Sequence, residues 1–183
     1  IAENPSWLSA QAEADRFYLE YLEQNTPAAG RPSSPLVVPI VIHVVHTPGT
    51  PVGTAENLSD ADVQAGLDLL NQAFAGVSCN NNPDGEPVGI QFALAKRDAK
   101  GNPTTGITRH ASAAATVYVG GWPNVMLTTI PDGKFPTTDY VNVWLVKEFC
   151  YFIQNGQCFG IQGLSTLAGS HGDPFDGAII EAG

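Results

Sequence analysis

The sequence predicts an α/β domain: a mixed, twisted sheet of about five strands crossed by one long helix, with a helical arm in front of it. Three apolar runs rich in β-branched and aromatic residues carry the sheet, LVVPIVIHVVH at 36–46, VGIQFALA at 88–95 and DYVNVWLVK at 139–147. Between the first two lies one strongly amphipathic helical segment, LSDADVQAGLDLLNQAF at 58–74, so strand, helix and strand read as a right-handed crossover unit with parallel strands. At 183 residues, 43% hydrophobic and 14% charged, the chain has material for one core of ordinary composition.

The elements follow in chain order. Residues 6–24, SWLSAQAEADRFYLEYLEQ, are expected to form a helix capped by Ser9, with Leu8, Ala12, Phe17, Leu19 and Leu22 on or near one face. The Pro, Gly and Ser-rich NTPAAGRPSSP behind it is a linker by composition, which divides the chain into an arm at 1–35 and a main domain at 36–183. The first strand is apolar on both faces and belongs inside a sheet, although Pro39 cannot donate to a ladder. In the helix Ser59 and Asp62 have the spacing of a capping box, and Leu58 can staple onto Val63. Val63, Leu67, Leu70 and Phe74, at spacings of four, three and four, make one apolar stripe, and Gly76 can end the helix.

In the second strand Ile90, Phe92 and Leu94 alternate with Gln91, Ala93 and Ala95, and KRDAKGNPTTGITRH after it reads as turn chemistry. Residues 111–138 show weak periodicity and are expected to be irregular. In the third strand Val141, Val143 and Leu145 share one face, while Tyr140, Asn142, Trp144 and Val146 share the other. Two shorter strands are expected in GLSTLAG at 163–169 and GAIIEA at 177–182.

Charge and motif searches exclude several functions. Eight Lys and Arg against eighteen Asp and Glu give a net charge of -10, so nothing here attracts phosphate backbones or anionic lipid. The longest apolar run is about half of a membrane span. Cys150 and Cys158 bracket CYFIQNGQC, and the Asn155-Gly156 turn could bring the sulfurs together; closing that loop would contribute about 2.5 kcal/mol. Cys79 is then left as a free thiol or paired outside the sequence, and the absence of CxxC argues against a cysteine zinc site. Neither HExxH nor HxxEH occurs, and no G-x-S-x-G supports a Ser, His and Asp triad. His43 and His46 project to opposite faces of a strand and cannot share one ion, so packing or a hydrogen bond is their expected role. His110 and His171 are expected in solvated loops; a zinc or calcium ion held by His171, Asp173 and Asp176 is the rival use of that region. Asn57-Leu58-Ser59 is a glycosylation sequon, but at a helix start its first role is capping.

Five segments together resemble the N-terminal half of the catalytic domain of pappalysin-type metalloproteases, a branch of the metzincin zinc endopeptidases. They are PIVIHVVH at 39–46, LSDADVQAGLDLLNQAF at 58–74, IQFALAKRDAKGNPTTGITR at 90–109, YVNVWLV at 140–146 and FDGAII at 175–180. The resemblance implies a secreted endopeptidase that hydrolyses peptide bonds with zinc-activated water. Its zinc ligands and general base lie on an H-E-x-x-H-x-x-G-x-x-H helix expected beyond this chain, in a companion segment, so the chain alone would be inactive. Calcium is left open as a second metal. The antiparallel edge strand that receives an extended peptide substrate would be Leu164, Ser165, Thr166, Leu167 and Ala168. The arm resembles the tail of a propeptide, packed on the domain until cleaved in the linker. A non-catalytic peptide- or protein-binding module, or a pseudoenzyme, is the alternative. An isolated half should leave one side of its sheet and the helix stripe uncovered, which a binding module would have to cover with a partner.

Overall fold

The computed structural model of the protein describes residues 35–77, 88–112, 117–119, 135–155, 157–160, 162–166, 171–173 and 176–182, with single positions at 12, 16, 19 and 20. At 117–119, 151–154, 158 and 159 the backbone alone is described. Ala12, Arg16, Leu19 and Glu20 are helical and exposed; the rest of the expected arm helix and its linker lie outside the described residues.

A central strand organises the domain. β1 (Leu36–His46) is long enough to pair in parallel with β2 (Ile90–Leu94) along its first half and with β3 (Ile107–Ala111) along its second. On its other side it pairs in parallel with β5 (Val141–Val146), which pairs in parallel with β9 (Ala178–Glu181). The short β8 (Gly163–Ser165) closes the row antiparallel to β9, giving the order β2-β1-β5-β9-β8 with β3 beside β1. The sheet therefore has six strands where about five are predicted, because two of them share one side of β1. Pro39 fits this interior strand for a local reason. Even-numbered residues of β1 face β2 and β3, as Ile40 O accepting from Ala95 N and Ile42 N donating to Gly106 O show. Pro39 therefore turns its nitrogen toward β5, one residue before that pairing starts at Ile40.

The crossover helix, α1 (Asp60–Phe74), has the predicted capping box: Ser59 Oγ accepts from Asp62 N, and Asp62 Oδ2 accepts from Ser59 N. Gly76, at φ 74°, provides the left-handed residue after its last turn. Val63 and Leu67 are buried against Ile40, Ile42, Val44 and Val143, with Leu58, Phe92 and Leu145 packed around them. The opposite face of the sheet buries Val41, His43, Asn142, Trp144 and Ile179 beneath Phe135. The side-chain alternation expected in β5 is the one observed.

Three local expectations change. ITRH belongs to β3, so His110 lies in a strand instead of a loop; only Asp98 to Asn102 makes the reversal, with the Asp98 carboxylate accepting from the amides of Lys100 and Asn102. Within 111–138, expected to be irregular, TVYV supplies β4 (Val117–Val119), too short to show a period. It pairs with β6 (Glu148–Gln154), and β6 pairs antiparallel with β7 (Gln157–Gly160) across a turn in which Asn155 has φ 52°.

That hairpin carries Cys150 and Cys158. The ladder pairs Cys150 with Gly160 and Ile153 with Cys158, with a bulge between Cys150 and Phe152. The side chain of Cys158 and all of Cys79 lie outside the described residues. The Cys150 to Cys158 bridge is therefore a proposal, and peptide mapping without reduction separates it from a Cys150 to Cys79 bridge.

The loop from β1 to α1 is tied by side chains. Glu56 Oε1 accepts from Thr47 N at 3.0 Å and Thr47 Oγ1 at 2.6 Å, which lowers its carboxyl pKa to about 2. Asn57 donates to Thr50 O at 2.7 Å and accepts from Arg109 Nε at 3.2 Å, while Arg109 also reaches Leu58 O and Asp60. Only 2% exposed, Asn57 has no room for a glycan in this fold. Protein secreted from a glycosylating host is expected to show no glycan mass at Asn57. Asn57→Ala should cost about 2 kcal/mol in denaturant unfolding, because Arg109 and the Thr50 carbonyl lose a partner.

Candidate functional site

The two ends of the sheet differ. At the β2 end the side chain of Asn71, on α1, does what another strand would do: its Oδ1 accepts from Phe92 N at 2.7 Å and its Nδ2 donates to Phe92 O at 2.9 Å. That edge is plugged at its midpoint. At the β8 end, Gln162 O accepts from Glu181 N and Thr166 N donates to Gly177 O. Backbone groups alternate in direction along an antiparallel strand, so those of Gly163 and Ser165 point away from β9, toward the side on which, among the described residues, no strand pairs. Leu164 is 37% exposed.

Of the five residues predicted to hold a peptide, Leu164 and Ser165 lie in this strand. Thr166 lies just past its end, with its hydroxyl donating to Asp176 Oδ1 and accepting from Gly177 N. That hydroxyl anchors β8 to the start of β9. Leu167 and Ala168 lie outside the described residues.

Next to this edge the helix side of the sheet is incompletely covered. α1 lies over the β1 and β2 half, and a groove of 360 Å³ opens along it, lined by Ile40, Ile42, Leu67, Leu70, Leu145 and Ile180. Leu70 is 36% and Ile180 42% exposed, whereas Val63 and Leu67 are buried, so the helix stripe expected to be uncovered is uncovered only in part.

The other face holds a polar centre that sequence reasoning reduced to a strand histidine. His43 is 1% exposed, stacked on Trp144 at 5.2 Å between ring centroids, with Nδ1 2.7 Å from Thr108 Oγ1 and Nε2 3.0 Å from Asn142 Oδ1. Burial lowers its pKa to about 4, against a raising effect of Asn142, so the ring is neutral at pH 7. A lone Asn in an otherwise apolar strand, YVNVWLV, was the available signal.

The described histidines do not fit a zinc site. Both ring nitrogens of His43 are engaged, and His46 faces the other way with Nδ1 donating to Thr47 O. His171 is exposed and lies 4.0 Å from Asp176, while Asp173 receives Thr137 Oγ1 on its backbone oxygen. Among the described residues no group of three or more His, Cys, Asp or Glu side chains could hold a metal ion.

No protein-family model and no curated protein matches the sequence. Solved structures do. Mirolysin in complex with compound 9 aligns with a TM-score of 0.61 and 26% identity over 81% of this chain and 53% of that one. A Tannerella forsythia promirolysin mutant aligns at 0.61 and 22% identity over 93% and 53%. Mature mirolysin of the same organism, in complex with a cleaved peptide, aligns at 0.59 and 26% identity over 82% and 54%. The chain spans about half the length of each. With a six-stranded mixed sheet and one crossover helix among the described residues, it has the metzincin-like fold of a metalloprotease domain.

Proposed function

We propose that the chain is the upper-cleft part of a secreted, pappalysin-type zinc endopeptidase, with the zinc ligands and general base on a segment that follows it. The observation that carries this reading is the match to mirolysin over four-fifths of the chain and about half of the neighbour. Two features support it. The groove beside α1 has the apolar lining that a further amphipathic helix needs, and the open β8 edge can take an extended peptide as an added strand. Mature mirolysin is known with a cleaved peptide, and the β8 edge is where this chain would hold one.

The test uses the whole gene product, with whatever follows Gly183. It is expected to cleave an unstructured peptide, to lose that activity to a chelator and to regain it with zinc, while the 183-residue chain alone is inert. A whole product that binds the peptide and never cleaves it belongs to the non-catalytic binding modules instead.

The edge geometry adds a sharper expectation. The N–H of Ser165 points outward, so Ser165→Pro removes a donor that the sheet does not use. Peptide affinity should fall about tenfold, one hydrogen bond's worth, with thermal stability nearly unchanged. Equal peptide binding by the variant would place the substrate elsewhere.

A further inference from the structure

The β2 edge carries the side chain of a helix where a further strand would fit, and the sequence of β2 gives the reason. Odd-numbered residues along this strand face β1, as Gly89 O accepting from Leu36 N and Ala95 N donating to Ile40 O show. Ile90, Phe92 and Leu94 therefore turn their N–H and C=O outward, to the side on which, among the described residues, no strand pairs. The run IQFALA at 90–95 is apolar apart from Gln91 and has no charge, Pro or Gly, so it lacks the devices that ordinarily keep an edge strand from pairing. At the other end of the sheet β8 is blunted by its length, three residues, and by Gly163.

Phe92 is the centre of the outward set, and one amide takes both of its backbone groups: Asn71 Oδ1 accepts from Phe92 N at 2.7 Å and Asn71 Nδ2 donates to Phe92 O at 2.9 Å. Two contacts one turn further along α1 hold that amide in place. The Phe74 ring meets the Phe92 ring edge-on with centroids 4.9 Å apart, and the Phe74 carbonyl accepts from Val88 N at 2.8 Å. What the amide displaces follows from symmetry. Two β2 strands running antiparallel, with a two-fold axis beside Phe92, would exchange both Phe92 N–H···O bonds and set Ile90 opposite Leu94, so this edge is complementary to itself. We propose that Asn71 is a lock against a second copy of this chain: its amide makes the two bonds that the other copy's Phe92 backbone would make, and without it the domain pairs with itself through β2. The lock is independent of the peptidase reading and holds whether or not β8 takes a peptide.

Amide exchange of the whole gene product at low and at high protein concentration tests the lock, at a salt concentration that screens the net charge of -10 beyond about 8 Å. In the unaltered protein Phe92 should be protected at both concentrations, exchanging only as the amides at 67–71 open. In Asn71→Ala, Phe92 exchange at low concentration should rise about tenfold or more. At high concentration Ile90, Phe92 and Leu94 should then gain protection together, while sedimentation shows an added association step. Asn71→Asp keeps the acceptor for Phe92 N and sets two carboxylates across the axis, so 90–94 should show no dependence on concentration although one bond is lost. An unaltered protein whose Phe92 amide exchanges like a free edge overturns the lock even if Asn71→Ala fails to fold. So does an Asn71→Ala protein without concentration-dependent protection at 90–94, or the same protection in both variants, which would make it a result of destabilisation alone.

Discussion

Gly177→Ala should leave little folded protein. Gly177 has φ 151°, and a Cβ there would overlap the Asn142 carbonyl oxygen and come within 2.6 Å of the Trp144 ring. Neither neighbour can move: Asn142 is held by His43 and Phe135, and Trp144 is fully buried in β5. Backbone strain and overpacking together should cost on the order of 4 kcal/mol, a large part of a small domain's stability. Gly106→Ala should behave similarly, because its Cβ would meet Ala95 N at 2.7 Å at φ 75°. Gly101→Ala is the control: φ is 82° but nothing lies within 4 Å, so the expected cost is only about 1 kcal/mol. Denaturant midpoints of the three variants check this, and a Gly177→Ala protein as stable as Gly101→Ala would show the close approach to be wrong.

Acid should weaken the fold in two separable windows. The His43 pKa is lowered from 6.5 to about 4, so the unfolded chain takes up its proton first. Stability is therefore full above about pH 6.5 and falls as pH drops toward 4, by about 2 kcal/mol at pH 5 and about 3 at pH 4. Glu56, lowered from 4.5 to about 2, also loses its contribution on acidification, but only below about pH 4.5, as its Thr47 bonds give way. Unfolding free energies measured from pH 7.5 to 3 should thus begin to fall with near one proton taken up per chain around pH 5.5. A flat profile between pH 7 and 5 would mean that His43 is not buried neutral.

Much of this architecture was legible because local and tertiary demands agree. Ser59 and Asp62 announce the helix start, the 4-3-4 spacing of its apolar residues announces the stripe in which Val63 and Leu67 are buried, and β1 and β5 have strand composition on both faces because both are covered. Where the sequence misled, a third partner decided. His110 looked like the tail of a turn, yet β1 runs on past β2 and recruits ITRHA as a further parallel strand. A strand in GLSTLAG was expected from the residues and its edge position only through resemblance; nothing local in the segment shows that Thr166 anchors it to Asp176. The asymmetry of the two edges was invisible, since Asn71 sits on a helix and its rung partner, Phe92, is 21 residues away.

That asymmetry is the centre of the account, and amide exchange of the whole gene product with and without a non-hydrolysable peptide tests it most directly. Gly163 and Ser165 should gain protection when the peptide binds, Leu164 and Thr166 should already be protected by β9, and Phe92 should not respond. Protection appearing at β2, or only along the groove beside α1, would contradict the proposal that this fold holds its peptide on β8.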